Sequence, residues 1–187
     1  GEPRSQAPSR EQPPSPRSAP IGSLAVVGTG LLGSSVALAA QRAGVAEVAG
    51  WDAKGSTLRE ALGAKAIARA AASLRDAVGA AELVVVAVPV GVLVPAAREV
   101  LEAAPESATV TDVGSTKASV VGAAVGSPRF VGGHPICGSE TRGAENASAG
   151  IFEGATWFLT PIAHTDPDAH ARARCASTPR HTTGSSP

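Results

Sequence analysis

Hydrophobic positions divide the chain into three stretches. Residues 1–20 contain six prolines, four serines and no large apolar side chain, so they cannot build a core and are expected to form a disordered tail. From 21 to 161 apolar runs of strand length alternate with helical stretches. Strands are predicted at 23–28, 47–51, 83–88 and 108–113, with short late strands at 129–131 and 156–159. Helices are predicted at 31–43, closed by Gly44, and at 56–62, 74–78, 93–103 and 117–125. Runs such as LVVVAV do not alternate with polar residues, which suits strands buried on both faces. The pattern predicts an α/β domain: a doubly wound, mostly parallel sheet with helices on each side. Beyond Pro161 the apolar periodicity fails, and 162–187 reads as an irregular tail. No internal repeat is present.

The junction of the first strand and first helix reads Gly28-Thr29-Gly30-Leu31-Leu32-Gly33, a G-x-G-x-x-G pattern. In a chain with 21 glycines that spacing arises easily by chance, but its place between strand and helix gives each glycine a task. Gly28 permits a tight turn, Gly30 lets the backbone approach a pyrophosphate, and Gly33 lets the helix pack on the strand. The helix start offers unpaired N–H groups and a partial positive charge. Asp52 lies 22 residues beyond Gly30, at the end of the second predicted strand. A carboxylate there accepts the hydroxyls of a ribose and repels a 2′-phosphate. Together these features predict a Rossmann-type domain that binds NAD in preference to NADP. Lys54 works slightly against that preference.

Composition narrows the alternatives. Sixteen basic and sixteen acidic residues give no net charge, so no basic field points to nucleic acid or a membrane surface. Two cysteines are too few for a disulfide framework or a four-cysteine zinc site, and they fit a reducing, cytoplasmic setting. His164, His170 and His181 have no metal-ligand spacing, and no metal is expected. Residues 23–40 are apolar and follow a tail with three arginines, so a secretory signal is the competing reading of the glycine segment. Three glycines and three serines dilute that run as a membrane span, and Pro89 and Pro95 interrupt the run at 83–97.

Residues 83–161 are more specific. LVVVAVPV (83–90) is followed by VTDVGSTK (110–117), FVGGHPICGSETRG (130–143) and IFEGATWFLTP (151–161). In this order they resemble the prephenate dehydrogenase family, which includes arogenate dehydrogenases; the resemblance covers about residues 22–161. It implies NAD-dependent oxidative decarboxylation of prephenate to 4-hydroxyphenylpyruvate, on the route to tyrosine. It also implies site residues. His134 matches the catalytic histidine, and an imidazole, with a free pKa near 6.5, suits a base working at neutral pH. Ser115 matches the serine near that histidine and the nicotinamide; it is equally an N-cap for the helix near Lys117. Glu140 matches a glutamate that shapes the site. Val88 and Pro89 close the buried strand and join the cofactor-binding candidates. Lys117 caps or pairs locally, Cys137 is a packing residue and Trp157 belongs to the core.

In the family a largely helical second domain follows, forms the homodimer and completes the substrate site. Residues 162–187 therefore read as the truncated start of that domain. Two further readings stand beside the prephenate one: a non-catalytic NAD-binding remnant, and an arogenate dehydrogenase.

Overall fold

The computed structural model describes residues 21–115, 118–136 and 143–177, without the side chains of 118–120. The expected N-terminal tail, the last ten residues, Lys117, Cys137 and Glu140 lie outside the described residues. Among the described residues seven strands form one sheet: β1 (Ser23–Val27), β2 (Glu47–Trp51), β3 (Arg69–Ala70), β4 (Leu83–Val86), β5 (Thr109–Asp112), β6 (Phe130–Ile136) and β7 (Thr156–Thr160). Their order is β3-β2-β1-β4-β5-β6-β7. All neighbours run parallel except β6 and β7. The chain reverses direction across the sheet between β1 and β4, so the crevice beyond their carboxyl ends is the topological switch point where such sheets bind ligands.

Among the described residues six helices cover the sheet: α1 (Leu31–Arg42), α2 (Gly55–Gly63), α3 (Leu74–Val78), α4 (Val90–Ala103), α5 (Ala118–Val125) and α6 (Pro167–Ser177). Every residue of β4 is buried, and its side chains divide between two cores. Val84 and Val86 pack with Leu74, Leu93, Ala97 and Val121 beneath α3, α4 and α5. Leu83 and Val85 pack with Val36, Ala37 and Ala61 beneath α1 and α2. Burial on both faces is what the unbroken valine run predicts. Among the described residues no helix is long and apolar enough to cross a membrane.

Three expectations are corrected. The helix expected from 93 begins at Val90, directly after Pro89, and carries Pro95 inside it. Pro95 forfeits the bond to the Gly91 carbonyl, but both residues are exposed, so that oxygen is open to solvent. The strand expected to stop at 131 runs to Ile136, so Gly132-Gly133-His134-Pro135 is strand and not a loop. Only Phe130 and Val131 pair with β5, whereas Gly132–Ile136 pair with β7. The Gly133 N–H points to the β5 side, where it meets Asp112. Two residues on, the nitrogen of Pro135 points the same way, past the end of β5, where no ladder bond is needed.

The third correction concerns residues 162–187, expected to be irregular; α6 occupies 167–177. Asp166 accepts the N–H of Asp168 at 2.7 Å and starts the helix, with Pro167 at its first position. Ala169 and Ala173, one turn apart, are buried against Val131. The helix thus buries small residues, leaves Arg174 exposed and sends Arg172 back to the Ser107 carbonyl, which hides its periodicity. It packs on β5, β6 and β7, so no packing boundary falls at residue 161.

Arg129 ties the end of α4 to the start of β6. Its guanidinium donates to the carbonyl oxygens of Pro105, at 2.8 Å, and Leu101. The Leu101 oxygen is an orphan acceptor at the C-terminus of α4, and a charged donor satisfies it well; the Pro105 oxygen also accepts the Ala108 N–H. Arg129→Met is expected to cost about 1–2 kcal/mol, read as a lower urea midpoint with an unchanged slope.

Candidate functional site

The glycine loop lies at the carboxyl end of β1. Gly28 takes φ +91°, and a Cβ on it would lie 2.5 Å from the Ala87 carbonyl oxygen and 3.1 Å from Val88 Cγ1. Glycine is therefore required twice over, by conformation and by the passage of the β4 end across it. A Cβ on Gly33 would lie 1.9 Å from the Gly28 carbonyl oxygen. Buried Ser34 donates to the Thr29 carbonyl at 2.8 Å and braces the turn. Around Gly30 the picture reverses, because a Cβ there would meet nothing within 4 Å. Helix α1 begins at this point with no side-chain cap and no acidic residue in its first turn. Its first intrahelical bond runs from Ser34 N–H to the Gly30 carbonyl, which leaves the N–H groups of Leu31, Leu32 and Gly33 without helical acceptors. An open surface beside unpaired donors is what a phosphate requires.

Asp52 faces this loop. Its Oδ2 accepts the N–H of Thr29 at 2.8 Å, and its Oδ1 accepts the N–H of Lys54 at 2.8 Å. Each oxygen retains acceptor capacity for a ribose hydroxyl. The Thr29 hydroxyl leans on the same carboxylate at 3.4 Å, and Thr29 is fully buried. The structure thus brings Asp52 and Val88 against the Gly28–Gly33 loop; Val88 and Pro89 lie between β4 and α4, with Val88 beside Gly28.

A second cluster sits where β5 ends and β6 passes it. Asp112, the last residue of β5, has no exposed surface. Its Oδ2 accepts the N–H of Gly114 at 2.8 Å, and its Oδ1 accepts the N–H of Gly133 at 2.9 Å. Burial pushes the carboxyl above its ordinary range, while the two N–H bonds and the nearby His134 oppose that shift. His134 is half-buried on β6, opposite Phe158 of β7, and its Nδ1 is buried with no hydrogen-bond partner among the described residues. Ser115 follows Gly114 and is exposed. One carboxylate therefore holds the backbone next to both His134 and Ser115. Trp157, expected in the core, is half-buried with its ring 5.2 Å from that of Phe152, and its Nε1 is buried without a partner.

Glu140 lies outside the described residues. Asp112 was missed by sequence reasoning. The available signal was an aspartate at a strand end, two residues before a glycine and three before the candidate serine, but spacing does not reveal that both oxygens bind backbone. Among the described residues no group of three or more His, Cys, Asp or Glu side chains is arranged to hold a metal ion.

Comparison with known proteins adds to this geometry. Residues 36–176 match the family model described as prephenate dehydrogenase, nucleotide-binding domain. That match begins inside α1, so the reading of the glycine loop rests on its own geometry. A curated prephenate dehydrogenase of Bacillus subtilis (strain 168) is 45% identical over 64 residues, 32% of this chain and 17% of that protein. The prephenate dehydrogenase from A. aeolicus, solved in complex with hydroxyphenyl propionate and NAD+, is similar with a TM-score of 0.77 at 28% identity. That match covers 86% of this chain and 58% of the other. Synechocystis arogenate dehydrogenase is similar with a TM-score of 0.74 at 28% identity, over 82% of this chain and 55% of its own. The chain therefore spans little more than half the length of these solved relatives.

Proposed function

The chain belongs to the prephenate dehydrogenase family, through that family's nucleotide-binding domain, and from this premise we propose that it binds NAD and serves the oxidative decarboxylation of prephenate to 4-hydroxyphenylpyruvate. The observation that carries the cofactor reading is the cradle itself. It joins open space at Gly30, unpaired N–H groups at the start of α1, and a carboxylate hydrogen-bonded to the same loop. The A. aeolicus relative, solved with NAD+, supports it. The loop and α1 would hold the pyrophosphate, Asp52 the adenosine ribose, and Val88 and Pro89 would line the crevice.

In this reading the nicotinamide supplies the hydride acceptor. His134 removes the proton of the ring hydroxyl as the carbon bearing it is oxidised. Release of carbon dioxide then leaves its bonding electrons to the ring and its oxygen, which regains the proton from His134, and aromatisation drives the reaction forward. Ser115 orients the imidazole or the substrate hydroxyl, and Glu140 shapes the pocket. Positioning and one proton transfer are all that the protein must provide. Arogenate is the alternative substrate, supported by the equal identity to the Synechocystis enzyme. A small-molecule substrate, no nucleic acid or membrane partner, a homodimer built through further helical sequence, and a cytoplasmic setting belong to the same proposal.

Titration calorimetry with both dinucleotides tests the cofactor assignment. NAD is expected to bind about tenfold or more tightly than NADP, because Asp52 welcomes hydroxyls and repels a 2′-phosphate. Asp52→Ala is expected to weaken NAD by roughly ten- to a hundredfold, the equivalent of losing hydrogen bonds to a charged acceptor. Equal affinities in the unaltered protein would remove Asp52 from this role.

A further inference from the structure

We propose that Asp112 is a positioning residue for His134: its single carboxylate fixes both the strand that carries the histidine and the turn that carries Ser115, and its charge acts on the imidazole. The inference rests on the reading of His134 as the base.

Asp112 has no exposed surface, yet it does not pair with a cation among the described residues. Its oxygens take the N–H of Gly133, next to His134, and that of Gly114, next to Ser115. Both of those positions need glycine for a reason that concerns Asp112. A Cβ on Gly133 would lie 2.4 Å from the Asp112 carbonyl oxygen, and one on Gly114 would lie 2.8 Å from its Oδ2. The chain thus brings two segments of backbone against this one residue. A neutral acceptor would satisfy an N–H group without the cost of burying a charge. What the carboxylate adds is a negative field beside an imidazole whose Nδ1 has no partner of its own among the described residues.

The surroundings leave that field directed at the histidine. From α4, Leu93 presents an apolar side chain to the Gly114 turn. Among the described residues, His134 is the titratable group that acts on Asp112, and it favours the ionised carboxylate.

Carbon-detected NMR of the Asp112 carboxyl in the whole 187-residue chain reads this coupling without substrate or cofactor. The amide protons of Gly114 and Gly133 are expected to shift along the Asp112 titration curve, because both donate to it. In His134→Gln the Asp112 midpoint is expected to rise by about one pH unit, as removal of a nearby positive charge dictates. A purely structural Asp112 would titrate identically in both proteins, and that result overturns the proposal. Asp112→Asn supplies the converse test, with changed Gly114 and Gly133 amides and a changed His134 ring nitrogen spectrum. If that variant does not fold, the His134→Gln titration decides alone. A present coupling combined with full activity after loss of His134 would instead refute the histidine's role as base.

Discussion

Gly33→Ala is expected to abolish detectable dinucleotide binding while the rest of the sheet remains folded. The new Cβ would sit 1.9 Å from the Gly28 carbonyl oxygen, a backbone atom that cannot rotate away. Relief requires α1 to lift from the end of β1. That movement would break the bond from Ser34 to the Thr29 carbonyl and withdraw the N–H groups of the first turn from the crevice. Overpacking of this kind costs roughly 1–3 kcal/mol or more, and 3 kcal/mol in the binding-competent state alone is about a hundredfold in affinity. Gly30→Ala is the informative companion. Its Cβ meets nothing within 4 Å and its φ of −69° suits any residue, so the variant should match the parent in thermal unfolding. It should nevertheless lose NAD affinity, because the methyl group occupies the space reserved for the pyrophosphate. Calorimetry and thermal unfolding of both proteins check this pair. Normal NAD affinity in Gly30→Ala would show that the phosphates do not lie against the loop.

What the sequence revealed and what it concealed follow from the kind of force involved. The strand-loop-helix start was legible because Gly28 and Gly33 answer steric demands that spacing preserves, and the buried strands were legible because β4 covers both faces with valine and leucine. Strand β6 was misread at Gly132–Pro135 because glycine and proline normally argue against a strand. Here the glycine admits the Asp112 backbone, and the proline nitrogen faces the side where β5 has ended. Helix α6 was missed because its buried stripe is alanine, Ala169 and Ala173, amid arginine and histidine. The start signal was nonetheless present in Asp166-Pro167. Asp112 was invisible for a different reason. Its role depends on two backbone groups, one two residues away and the other 21 residues away, and no local pattern encodes the second.

His134→Asn should produce the largest kinetic effect. The measurement uses the chain joined to the remaining portion of the A. aeolicus relative, so that a family substrate site is complete. The imidazole lies on a strand, paired through β7 and held from the β5 side by Asp112, rather than on a mobile loop. Its position is therefore fixed by ladder bonds, and a substitution that keeps the strand should leave the cofactor crevice undisturbed. Asparagine retains polarity and approximate size but cannot take a proton at neutral pH. Loss of a positioned base lowers kcat by roughly a hundred- to ten-thousandfold. NAD affinity should stay near that of the parent, because the glycine loop and Asp52 lie at β1 and β2, on the other side of β4 and β5 from β6. The acidic limb of the pH-rate profile should also disappear, since that limb reports protonation of the base. Near-normal kcat in His134→Asn would make the histidine structural and refute the mechanism. Collapse of NAD binding would instead assign it to the cofactor site, and the base would have to be sought among other residues.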